Sequence, residues 1–77
     1  NKGLGTKAIQ KLLSFGFQDL NLHRIYLHVF EDNLRAIKVY EKNGFQREGL
    51  LRESVFISGS YKNILIMSVL NKEFNAS

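Results

Sequence analysis

Apolar and polar positions along this chain follow two periods. From about Gly5 to Leu20, the residues Ile9, Leu12, Leu13, Gly16 and Leu20 recur at the three- and four-residue spacing that lines one helix face. Asp19-Leu20-Asn21 closes that segment, and Asn21 suits a left-handed terminator. Ahead of the helix, Asn1 to Thr6 is predicted as a glycine-bearing loop. Arg24 to Phe30 is β-branched and aromatic and apolar on both faces, the pattern of a central strand covered on both sides. Glu31-Asp32-Asn33 carries helix-start chemistry: the acids suit the positive end of a helix dipole, and Asn33 is a strong cap. A second helix is expected from about Leu34 to Asn43, with Ala36, Ile37 and Tyr40 inward, stopped by Asn43-Gly44. Phe45 to about Ile57 reads as a long strand, Gly59-Ser60 as a two-residue hairpin loop, and Tyr61 to about Leu70 as the returning strand. The polar tail is expected to fray, with residues 75–77 outside the folded portion, 1–74. This order describes an α/β layer with an antiparallel end.

At 77 residues one domain is the ceiling, and 44% hydrophobic with 23% charged residues is ordinary for a globular chain. Apolar runs such as Ile64–Met67 are too short to span a bilayer, so no membrane partner is expected. The opening residues lack the basic, apolar and small-residue order of a signal peptide. Without cysteine there are no disulfides and no zinc–thiolate sites, which fits a reducing, cytoplasmic location. A chain this short buries only ~60% of its extended surface, so it is expected to be part of something larger.

Eleven Lys+Arg against seven Asp+Glu give a net charge of +4. Lys2, Lys7 and Lys11 precede any acid, which favours an anionic partner, although simple solubility explains the same excess. A small basic nucleic-acid binder is the weaker reading, because Glu31, Asp32 and Glu41 interrupt any basic stripe.

Lys2-Gly3-Leu4-Gly5-Thr6 lets the backbone pass close to a ligand, and the free amides of the following helix point at one spot. Thr6 adds a hydroxyl, and Lys2 or Lys7 a positive charge. A plain tight turn accounts for the same glycines. Asn33 and Tyr40 are seven residues apart, hence on one helix face about two turns from each other. An amide and a phenol can line one groove there, or serve as a cap and a core ring. His23 and His28 read as packed or surface residues, Tyr61 as strand packing or the edge of an acceptor pocket, and Glu48, Arg52 and Glu53 as a solvated strand face. Two histidines without metal-like spacing make no case for a metal.

Taken together, Asn33-x-x-Ala36-Ile37-x-x-Tyr40-Glu41-Lys42-x-Gly44-Phe45 with the upstream Gly3-x-Gly5 resembles the Gcn5-related N-acetyltransferase (GNAT) family. Glu48-Gly49-x-Leu51-Arg52-Glu53 and Gly59-x-Tyr61 look like its ribosomal-protein-alanine and spermidine acetyltransferase branch. The resemblance covers residues 1 to 70 and corresponds to the C-terminal half of a GNAT fold, with a mixed sheet ending in an antiparallel hairpin. It implies acetyl transfer from acetyl-coenzyme A to a primary amine of a protein N-terminus, polyamine or amino sugar. It places Lys2, Gly3, Leu4, Gly5 and Thr6 at the coenzyme's diphosphate, Asn33 at its pantetheine arm, Ala36 among the cofactor-binding residues, and Tyr40 as the acid for the departing thiolate. The general base would lie outside this chain, which alone is expected to be inactive. A non-catalytic coenzyme A-binding or assembly module is the rival. The edge of strand 24–30 would be left open, so self-association, as a dimer or larger homo-oligomer, or pairing with an N-terminal half is expected there.

Overall fold

The computed structural model describes residues 2–76, and their side chains from Gly5 to Asn75. Helix α1 (Lys2–Ser14) runs into a π-helical turn (Phe15–Asp19), followed by β1 (Arg24–Phe30), α2 (Leu34–Lys42), β2 (Gln46–Ile57), β3 (Ser60–Leu70) and a short α3 (Asn71–Ala76). The strand order is β1-β3-β2. Both pairings are antiparallel, so over the described residues the sheet is antiparallel rather than mixed.

The α/β class and the element order stand as expected, with local corrections. The glycine segment is not a loop: the helix already includes Lys2, Gly3, Leu4, Gly5 and Thr6. The inward face of this segment is Leu13, Gly16 and Phe17, with Ile9 partly covered, whereas Leu12 and Leu20 are exposed. The helix widens into the π-turn, where the Leu20 amide donates to the Phe15 carbonyl at 3.0 Å. At Gly16 a Cβ would lie 2.6 Å from Ile25 Cδ1, so the end of that side chain would have to shift. Asn21, at φ 55°, supplies the left-handed exit its sequence position suggested.

Among the described residues, the helices lie on one face of the sheet. Ile25, Leu27 and Val29 of β1 join Leu65, Met67 and Val69 of β3 in a core with Leu13, Phe17, Ile37 and Phe45. Tyr26, His28 and Phe30 point to the other face and are exposed, so β1 is not covered on both sides. It is also an edge strand. The hairpin loop falls one residue earlier than expected, at Ser58-Gly59 (φ 53° and 81°), with Ser60 already paired to Ile57. Positive φ at both central residues matches the right-handed strand twist.

The tail is folded rather than frayed through Ala76, and Ser77 lies outside the described residues. Asn71 Nδ2 donates to the Leu22 carbonyl (2.8 Å), Glu73 accepts from the Leu70 amide (2.9 Å), and Phe74 stacks on Phe17 at 5.2 Å.

Candidate functional site

α2 begins where the chain leaves β1. The Asn33 Oδ1 accepts from the Ala36 amide at 3.2 Å, closing the cap the sequence indicated. The cap occupies Oδ1 and leaves Nδ2 as a donor for a neighbour. One turn on, Ile37 is the buried anchor of the helix, 2% exposed. That anchor holds Ala36 and Tyr40 partly buried at the core margin. Gly44, at φ 94°, ends the helix, and the Phe45 amide returns to the Tyr40 carbonyl at 3.0 Å.

The Tyr40 ring leans on Phe45, with centroids 5.6 Å apart. No hydrogen bond holds its hydroxyl among the described residues, so the ring is fixed by packing and its oxygen remains available to another group.

Asn33, Ala36 and Tyr40 line two grooves. One, of about 330 Å³, is completed by Gly5, Ile9, Arg35 and Val39 and lies between α1 and α2. The other, of about 240 Å³, is completed by His28, Val29, Phe30 and Ile64 and lies against the end of β1. The fold therefore brings together Gly5, Asn33, Ala36 and Tyr40 from the sequence-derived set. Thr6 lines a third, adjoining depression with Arg35, Lys38, Val39 and Lys42. The side chains of Lys2, Gly3 and Leu4 lie outside the described residues.

Tyr61 packs edge-on against Phe56 at 4.9 Å across the hairpin and lines none of these grooves. His28 stands beside Tyr26, ring centroids 5.9 Å apart. No group of three or more His, Asp or Glu that would hold a metal ion occurs among the described residues.

Two polar features were not legible in the sequence. Asn63 of β3 joins three segments: its Oδ1 accepts from the Glu53 amide (2.7 Å), its Nδ2 donates to Glu31 (2.8 Å), and its carbonyl accepts from the Glu31 amide (3.1 Å). It pins a bulge in β2 between Leu51 and Val55, where Glu53 sits at φ 47°. Glu31 and Asp32 therefore serve Asn63 and Lys62 as well as preceding the helix. Glu48 occupies a second β2 irregularity, between Arg47 and Gly49. Its carboxylate accepts from Arg24 at 2.7 Å, and the Arg24 guanidinium, then the Ser68 hydroxyl, hold its pKa below the ordinary glutamate value. Glu48 and Glu53 are thus bulge residues on an otherwise solvated face. Only their spacing against β3, invisible in a single segment, reveals this.

A glycine, an amide and a phenol from two helices thus converge on one groove. The chain belongs to the acetyltransferase (GNAT) family, whose model matches residues 1–45. Among curated proteins it is similar to the spermidine N(1)-acetyltransferases of Vibrio cholerae (41% identical over 73 residues, 95% of this chain and 42% of the relative) and Escherichia coli K12 (40% over 75 residues, 97% and 40%). Among solved structures it superposes on the spermidine N-acetyltransferase of V. cholerae in complex with CoA and spermine, with a TM-score of 0.92 and 40% identity over 97% of this chain and 44% of that one. The chain spans less than half the length of these relatives. None of its described helices is long and apolar enough to cross a membrane.

Proposed function

We propose that this chain is the coenzyme-binding portion of an N-acetyltransferase that moves acetyl from acetyl-coenzyme A to a primary amine of a polyamine. The observation that carries the reading is the convergence of Gly5 and Ile9 from α1 with Asn33, Ala36 and Tyr40 from α2 on one groove. The likeness to spermidine acetyltransferases, one of them solved with spermine, favours a polyamine over a protein N-terminus or an amino sugar.

In this reading the first-turn amides of α1, residues 2–4, with Gly5 and Thr6, receive the diphosphate, as a helix N-terminus favours anions. Lys2 is the residue of the sequence-derived set assigned to add charge there. The Asn33 Nδ2 donates to the pantetheine arm, which passes Ala36. The unprotonated amine attacks the thioester carbonyl: the C–N bond forms, the C–S bond breaks, and the Tyr40 phenol gives its proton to the departing sulfur. The amine's own proton goes to a base that this set of residues does not include. The open edge of β1 is the surface for strand pairing, with a second copy or another segment of the protein. A cytoplasmic location belongs to the same reading, and the cysteine-free sequence suits it.

Incubating the intact protein with acetyl-coenzyme A and spermidine, and following free thiol, tests the proposal. Thiol release that depends on the amine supports it. Tight coenzyme A binding without amine-dependent release assigns a binding module instead.

A further inference from the structure

The turn that carries Asn33 has no apolar anchor. Residues 31–35 are all exposed, Leu34 by 68%, and the first buried side chain after Val29 is Ile37. The Asn33 amide donates to the Phe30 carbonyl and the Leu34 amide to the Asp32 carbonyl, each at 3.0 Å, which joins the turn to itself and to the strand it leaves. Its hold on the rest of the sheet comes from β3. The Asn63 carbonyl accepts from the Glu31 amide at 3.1 Å, and the Asn63 Nδ2 donates to the Glu31 carboxylate at 2.8 Å. Lys62 Nζ reaches Asp32 at 3.1 Å, but with side chains 36% and 66% exposed that ion pair contributes little. Asn63 is half-buried and makes two bonds to one residue, so it is the stronger hold.

The third Asn63 bond points the other way. Its Oδ1 accepts from the Glu53 amide at 2.7 Å, inside the β2 bulge, where Glu53 takes a φ of 47° that is costly for a residue with a Cβ. One side-chain amide therefore uses its oxygen on β2 and its nitrogen on the β1–α2 turn. It cannot rotate without releasing one of them, so the bulge keeps Nδ2 aimed at Glu31. Ile64, the next residue of β3, pairs with Phe30 and lines the groove that Asn33, Ala36 and Tyr40 share with the end of β1. The clamp thus lies one residue along β3 from a wall of the candidate site.

We propose that Asn63, acting through Glu31, is a positioning residue for coenzyme binding: it sets the backbone from which Asn33 extends its Nδ2 to the pantetheine arm. The inference rests on the coenzyme A reading above. The cap on Ala36 fixes the Asn33 side chain relative to α2, and the Asn63 clamp fixes the start of α2 relative to the sheet. Both are needed, because a hydrogen bond weakens steeply off its geometry and a donor must be held to within ~0.5 Å. The arm is gripped alike before and during the reaction, so loosening the clamp removes uniform binding. That raises KM for acetyl-coenzyme A and leaves kcat in place. Tyr40 is held separately, against Phe45, so the acid step is unaffected.

The test is steady-state kinetics of the intact protein with acetyl-coenzyme A and spermidine, in wild type, E31A, E31Q and N63A, and in N63A combined with N33D. Glu31→Ala cuts the side-chain link and spares the bond to Glu53, whereas Glu31→Gln keeps an oxygen for the Asn63 Nδ2. Asn33→Asp keeps the capping oxygen and loses the donor. Asn71→Ala, which frees the Leu22 carbonyl away from the grooves, is the control for plain loss of stability. KM for acetyl-coenzyme A should rise about 2–5-fold in E31A and about 3–10-fold in N63A, and return to near wild type in E31Q, with kcat and KM for spermidine within about twofold throughout. On the N33D background, N63A should add less than about twofold, since its effect runs through Asn33. An unchanged KM in N63A, a rise undiminished by N33D, or an equal rise in N71A would overturn the proposal. A fall in kcat alone would assign Asn63 to stability only and overturn it too. Wild type without amine-dependent turnover fails the acetyltransferase reading itself and this proposal with it, an outcome distinct from a KM insensitive to Asn63.

Discussion

Gly5→Ala should move stability and coenzyme affinity in opposite directions. Gly5 lies inside α1, where glycine costs about 0.5–1 kcal/mol relative to alanine through backbone entropy. Its φ is not positive, and a Cβ built on it meets no heavy atom within 4 Å. Neither strain nor packing explains the glycine, so alanine should raise stability by about 0.5–1 kcal/mol in a denaturant titration. Yet Gly5 lines the groove shared with Asn33, Ala36 and Tyr40. A methyl there stands where the ligand would rest against the backbone, and relieving such overpacking typically costs 1–3 kcal/mol. Coenzyme A affinity, read by calorimetry on the intact protein, should fall about tenfold or more, equivalent to ~1.4 kcal/mol. A variant that is more stable and binds coenzyme A as tightly as wild type would refute the argument that a ligand approaches Gly5 closely.

Three further outcomes follow from the geometry. Tyr40→Phe keeps the ring on Phe45 and removes a hydroxyl that has no hydrogen bond among the described residues; stability and coenzyme affinity should hold while turnover of the intact enzyme falls about 100-fold or more, and unchanged turnover where chemistry limits the rate would reject the acid role. Asn63→Ala leaves the Glu53 amide and Glu31 without their shared partner and should destabilise by about 1–2 kcal/mol, with hydrogen exchange accelerating at Glu53; an unchanged exchange rate there would show that the bulge holds itself. Arg24 lowers the Glu48 pKa in the folded state, so this contribution is present above the ordinary glutamate range and is lost as pH falls through the folded value. E48Q should therefore flatten the acid side of the stability–pH curve without changing its neutral-to-alkaline side, and an acid limb as steep as in wild type would contradict the pairing.

The elements legible in the amino-acid order are those whose causes act over a few residues. Asn33 caps α2 because its own side chain reaches an amide three positions on. Asn21 and Gly44 end helices because each takes positive φ at low cost. The strand over Arg24–Phe30 follows from β-branched and aromatic content, and the spacing of Asn33 and Tyr40 places both on one face of a regular helix. The same local signals misjudged the glycine segment, where loop and first helical turn share one composition, and the hairpin, where Ser58 takes the positive φ expected of its neighbours.

What lies between elements was decided by tertiary structure alone. Period-two apolarity on both faces of β1 does not say that every helix packs on the Ile25–Val29 side, leaving Tyr26 57% exposed. The bulges that turn Glu48 and Glu53 exist only relative to β3, and Asn63 becomes a junction only once Glu31 is brought to it across a strand pair. The meeting of Gly5 with Tyr40, and of Thr6 with Lys38 and Lys42, needs two helices docked on one sheet. Local propensity acts through a residue's immediate neighbours. A groove is made by residues far apart in the chain, such as Gly5 and Tyr40, and only the burial of a shared core brings them together.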